Sequence, residues 1–108
     1  FTPAQKKLLS ALLFNQRDDF KLEPLEKQGA VTARQAIRLA RILRISLILC
    51  MRRTQGTVPQ FMLQADEDAL TLTLPRGWLD EHYLRASELR LEVERQQKMG
   101  WSTRLLEA

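Results

Sequence analysis

Val31-Thr32-Ala33-Arg34-Gln35-Ala36-Ile37-Arg38-Leu39-Ala40-Arg41-Ile42-Leu43-Arg44-Ile45-Ser46-Leu47-Ile48-Leu49-Cys50-Met51-Arg52-Arg53 is the stretch around which the rest of the sequence is organised. Thr32 and Gln35 stand at capping-box spacing, which predicts a helix start. At about 100° per residue, Ala36, Leu39, Ala40, Leu43, Leu47 and Cys50 gather on one side. Arg34, Arg38, Arg41 and Arg52 gather on the other, within roughly 60°. Arg44 stands at the edge of that sector. From Ile45 onward apolar residues occupy the whole circumference, and a helix apolar all round is buried all round. The second half therefore reads as a core helix, the first half as one that shows arginines to solvent or to an anion.

Two readings of the arginine stripe stand side by side. Charged faces are the ordinary exterior of a helix, and arginine has good helix propensity. Against that, no Asp or Glu lies between Val31 and Arg53. A solvated helix usually mixes signs three or four residues apart. Arg52 and Arg53 also suit a helix C-terminus, where cations oppose the macrodipole.

At 108 residues the chain can form one domain or two small units. Its apolar share of 44% and charged share of 28% are those of a globular protein. No apolar run approaches the ~18 residues of a membrane span. There is no signal-peptide pattern. The single Cys50 excludes an internal disulfide and a cysteine metal site, and is compatible with a reducing cytosol. The opening Phe1-Thr2-Pro3, without methionine, reads as the start of a C-terminal fragment. The net charge of +4 is uneven. Residues 1–56 hold eleven Lys/Arg and four Asp/Glu, whereas residues 57–108 hold six and nine. Opposite signs suggest two units and argue against a uniform nucleic-acid coat.

Thr2-Pro3-Ala4-Gln5 predicts a capped helix that runs to about Gln16. Leu8, Leu9, Leu12 and Leu13 form its expected buried stripe. Residues 22–29 read as loop with a turn at Pro24-Leu25-Glu26. After Gln55-Gly56 the period changes to two. Phe61, Leu63 and Ala65 alternate, Asp66-Glu67-Asp68 turns, and Leu70, Leu72 and Leu74 alternate with threonines. Pro75-Arg76-Gly77 ends the second strand, and Trp78 is an expected anchor. Asp80 to Lys98 reads as helix with an irregular turn at His82-Tyr83. Leu84, Glu88 and Leu91 share a side of it. Gly100 is its expected terminator, and Trp101, Thr103 and Leu105 suit a third strand. The fold class is α+β. Helices at 1–56 precede a small β-β-α-β unit at 57–108, expected to carry an antiparallel sheet.

Catalytic chemistry is absent from this pattern. One His, one Cys and no clustered carboxylates make no metal site. Ser46 and Ser102 have no histidine placed as a base, and the four glycines form no phosphate loop. Trp78 and Trp101 could stack a base, or close the core of the small unit.

Thr2-Pro3-Ala4-Gln5-Lys6-Lys7-Leu8-Leu9, the arginine helix through Arg53, Val58-Pro59, Leu70-Thr71-Leu72-Thr73-Leu74-Pro75, Gly77-Trp78-Leu79 and Trp101 occur in that order. In this combination the sequence resembles the C-terminal end of the exopolyphosphatase / guanosine pentaphosphate phosphatase family, closest to its enterobacterial guanosine pentaphosphate pyrophosphatase branch. The resemblance covers essentially the whole chain. It implies a longer cytoplasmic hydrolase that converts guanosine pentaphosphate to the tetraphosphate plus phosphate, with polyphosphate as a further substrate. Two N-terminal actin-like domains would carry the catalysis and Mg²⁺. A helical domain resembling the HD phosphohydrolases would end at about residue 56, with the arginine helix as the joint to a terminal α+β domain. The HD-type His-Asp pair is missing, since Tyr83 follows His82. The resemblance implies no cofactor on this fragment, a homodimer, and no membrane or nucleic-acid partner. It gives the arginines a role as guides for a polyanion, each able to hold phosphate oxygens in bidentate fashion. The candidate site is Arg34, Arg38, Arg41, Arg44 and Arg52, with no catalytic and no metal residue. The alternative is a stand-alone basic module that binds nucleic acid or a protein helix.

Overall fold

The computed structural model describes residues 1–50 and 60–108. They form two compact units, Phe1–Leu47 and Ile48–Ala108. The division expected near residue 56 lies outside the described residues.

The first unit is helical: α1 (Pro3–Phe14), α2 (Leu22–Glu26) and α3 (Ala33–Cys50), whose last three residues fall in the second unit. Both capping boxes form. The Gln5 amide donates to the Thr2 hydroxyl at 3.1 Å, and the Thr2 amide to Gln5 Oε1 at 2.9 Å. Thr32 and Gln35 repeat the pair at 3.1 and 3.0 Å. Each cap satisfies helix-end donors that have no partner within the helix. The core is built on small residues: Ala11, Leu25, Ala36 and Ala40 are buried, with Leu8, Leu12, Phe20, Val31 and Ile37 packed around them. Leu9 and Leu13 are exposed, so only half of the expected leucine stripe of α1 faces inward.

Two further differences lie in the connection. The segment expected as loop forms α2, and Leu25 is fully buried. Pro24 is tolerated because it occupies the first turn, where its missing N–H would have had no intrahelical acceptor. Helix α1 stops at Phe14, and the buried Asn15 organises the turn beyond it. Its Nδ2 donates to the carbonyls of Ala11 at 3.0 Å and Lys21 at 3.1 Å, and its Oδ1 accepts from the Lys21 amide at 2.6 Å. Arg44 reaches into the loop so closed. Nη1 donates to the Asn15 carbonyl at 3.2 Å and Nη2 to the Asp18 carbonyl. The guanidinium lies 3.9 Å from the centroid of Phe20, at cation–π distance. Asp18 takes a left-handed φ of 65° within this turn.

The second unit holds β1 (Met62–Asp66), β2 (Ala69–Leu74), α4 (Trp78–Glu81), α5 (Tyr83–Lys98) and β3 (Thr103–Glu107). Strands β1 and β2 form the expected hairpin. Asp66 pairs with Ala69, so Glu67 and Asp68 are the whole loop, with Glu67 at φ 55°. Leu70, Leu72 and Leu74 are buried and the intervening threonines half-buried. The strand order is β1-β2-β3, and β3 runs parallel to β2 from Leu70↔Thr103 to Leu74↔Glu107. The sheet is therefore mixed, which corrects the expected antiparallel sheet. The helical connection carries the chain back to the end of the sheet where β2 begins, and a strand starting there runs parallel to it.

The Trp78 amide donates to the Pro75 carbonyl at 3.1 Å. Gly77 at φ 83°, ψ −8° supplies the third position that a type II turn requires. Trp78 is buried and stacks on His82 with centroids 4.5 Å apart. His82 breaks the helix between α4 and α5, as expected for that turn. The Arg85 Nη1 donates to the Leu49 carbonyl at 3.2 Å.

On α5 the buried face is Ala86, Leu89, Glu92 and Gln96. Gln96 is the hub of a polar network: its Nε2 donates to Glu92 Oε2 at 3.0 Å, and its Oε1 accepts from the Thr103 hydroxyl at 3.0 Å. The helix ends in a Schellman motif. The Trp101 amide donates to the Gln96 carbonyl at 3.0 Å and the Gly100 amide to Gln97 at 2.9 Å, with Gly100 at φ 86°.

These element ends can be tested by their stability. A Cβ at Gly100 would meet nothing within 4 Å, so Gly100→Ala reports backbone conformation alone. It should cost about 1–2 kcal/mol in urea unfolding, the left-handed penalty of an L-residue. Arg44→Leu strands the Asn15 and Asp18 carbonyls and should cost about 2–4 kcal/mol. Amide exchange over residues 16–21 should accelerate more than that over α5.

Candidate functional site

The arginines of α3 do not form one surface stripe. Arg34 is exposed and Arg38 half-buried, whereas Arg41 and Arg44 are 3% and 2% exposed. Arg52 lies outside the described residues. The buried arc of α3 includes Ala36, Ala40, Arg41, Arg44, Ile45 and Leu49, while Leu39 and Cys50 are exposed. It is thus rotated toward the arginines, away from the side on which the small and leucine residues gather. Loop carbonyls explain the rotation at Arg44. A guanidinium offers five N–H donors in one plane, and the loop turns two carbonyls and a ring toward them.

The outer cationic surface of this helix therefore narrows to Arg34 and Arg38. They stand four residues apart, on successive turns and on one side. A single extended polyanion could meet both. A groove of about 340 Å³ between α1 and α2 is lined by Lys7, Ser10, Ala11, Phe14, Pro24 and Gln28, with none of the arginines.

Among the described residues no three His, Cys, Asp or Glu side chains gather to hold a metal ion. The one histidine packs against Trp78, with Nδ1 3.0 Å from the Trp78 carbonyl. No helix of the described residues is long and apolar enough to cross a membrane.

Two polar residues have structural duties that the sequence does not announce. Arg85 looks like one more surface charge until its bond to Leu49 is seen. Gln96 carries a weak signal, since it stands seven residues after Leu89 on the same face and four before Gly100.

A family model described as Ppx/GppA phosphatase, domain III, matches residues 1–93. A guanosine-5'-triphosphate,3'-diphosphate pyrophosphatase of Aeromonas hydrophila subsp. hydrophila is 92% identical over 108 residues, all of this chain and 22% of the relative. The protein of the same description in Aeromonas salmonicida is 91% identical over the same span, again 22% of its length. The chain thus spans 22% of the length of these curated relatives. The family match extends from α1 through most of α5, and near-identity continues to Ala108. By the family match this chain belongs to the Ppx/GppA phosphatase family.

Proposed function

We propose that the chain is the C-terminal, non-catalytic part of a cytoplasmic phosphoanhydride hydrolase. The whole protein converts guanosine pentaphosphate to the tetraphosphate and phosphate, and also shortens polyphosphate. The single observation that carries this reading is the 92% identity, along the full chain, to a protein described as a guanosine-5'-triphosphate,3'-diphosphate pyrophosphatase. Actin-like domains elsewhere in the longer protein carry the catalytic groups and Mg²⁺. The helices at 1–56 close an HD-like helical domain, and 57–108 is the terminal α+β domain. This C-terminal part guides the polyanionic substrate and contacts the other domains or a second copy.

Guidance is assigned to Arg34 and Arg38, the arginines of the candidate set whose side chains reach the surface of the described residues. Arg44 serves the loop instead. Two guanidinium groups a helical turn apart can each accept a phosphate as a two-oxygen partner. Such exposed sites are screened by salt over about 8 Å at physiological ionic strength, so they attract and orient a polyanion without holding it tightly.

The test is a titration of the 108-residue chain with polyphosphate over a range of salt concentrations. Binding should weaken as salt rises, and Arg34→Ala with Arg38→Ala should reduce affinity by about tenfold, near 0.7 kcal/mol per charge. Unchanged or salt-insensitive binding removes the guidance role. Phosphate release from guanosine pentaphosphate by the same chain overturns the non-catalytic assignment.

A further inference from the structure

Arg34 and Arg38 belong to a row of residues that is bounded at both ends. Counting by four, the row reads Ala30, Arg34, Arg38, Ile42. The next arginines along α3, Arg41 and Arg44, are buried. Helix α3 thus offers a polyanion two guanidinium groups at its surface and no third. Four residues of helix rise about 6 Å, whereas the phosphorus atoms of a diphosphate stand about half that far apart, across one P–O–P bridge. The end phosphates of a triphosphate stand across two such bridges. Arg38 is half-buried, so packing of its stem restrains its head. Drawing Arg34 onto the same diphosphate brings like charges together at i and i+4 and fixes a long side chain at a cost in rotamer entropy.

We infer that this pair measures the length of a phosphate chain. One guanidinium takes the first phosphate and the other takes the third, each by two oxygens. The shortest chain that engages both is a triphosphate. A fourth phosphate adds little, because Ala30 and Ile42 flank the pair. The inference rests on the guidance role proposed above and names the ligand that this role selects. A polyphosphate shortened one phosphate at a time loses the second contact when it reaches two, so pyrophosphate is the remnant that the pair lets go. The 5′-triphosphate arm of the proposed nucleotide meets the same requirement as the longer chains.

The test is a calorimetric titration of the 108-residue chain with inorganic pyrophosphate, tripolyphosphate and tetrapolyphosphate at one pH and one ionic strength. Affinity should rise about threefold from two phosphates to three, the worth of one exposed arginine, and less than about 1.5-fold from three to four. Arg34→Ala, at an exposed position, should shrink the first step to the size of the second. Arg38→Gln with Leu39→Arg keeps the net charge but turns it about 100° round the helix, and should shrink the step equally. Leu39 is 41% exposed, so an arginine there is solvated, and circular dichroism checks that each variant folds. An even rise with every added phosphate, or a charge-preserving variant that binds all three anions like the parent chain, overturns the length measurement and leaves guidance by net charge. No binding of any of the three, or binding insensitive to salt, overturns the guidance role as well.

Discussion

Arg44 holds the helical unit together at its least regular point. A chain that leaves α1 and turns back frees backbone carbonyls, and buried polar groups of the backbone must be bonded. In Phe1–Leu47 two of those carbonyls, of Asn15 and Asp18, bond to the one guanidinium, while Phe20 covers its face. Asn15 closes the other end of the same loop. Two of the donors of this buried charge are directed at backbone carbonyls of the loop. A lysine could not imitate it, because an ammonium lacks the planar fork that reaches two acceptors and stacks on a ring.

The same constraint shapes the second unit by different means. Helix α5 must end close to the start of β3, and Gln96 makes that junction. Its backbone carbonyl takes the Trp101 amide, and its side chain joins Glu92 to Thr103. Gly100 supplies the left-handed step between them. In the same unit Arg85 donates to the Leu49 carbonyl. In each unit, polar side chains inside the core fix the ends of elements whose middles are fixed by apolar packing.

That division decides which features are legible in the sequence. Caps, turns and alternation are local, so the two Thr–Gln boxes, the hairpin, Gly77, Gly100 and the break at His82 can all be read from short windows. The buried face of α5 cannot, because half of it is Glu92 and Gln96, which periodicity counts as surface. The direction of β3 depends on where a sixteen-residue helix delivers the chain, which no window of sequence contains. On α3 the arginines stand out as a group, but their separation into surface and core does not. At Arg44 it arises from the path of a loop more than twenty residues earlier, and helical angle treats Arg38 and Arg41 alike.

Arginine content along a helix is accordingly a poor measure of its power to attract phosphate. A guanidinium withdrawn to satisfy carbonyls, as Arg44 is, still contributes charge, but it offers the ligand fewer N–H groups and none of the bidentate geometry that discriminates phosphate from a generic anion. On α3 this withdrawal leaves a short outer arm at Arg34 and Arg38. A short arm suits a steering role, in which the rate of encounter matters more than residence. It suits a tight phosphate site poorly, since such a site needs several converging donors held in a dry cleft. The sequence's densest cationic stretch is thus first an element of architecture, and the arginines proposed to guide a polyanion are those that the architecture leaves at its surface.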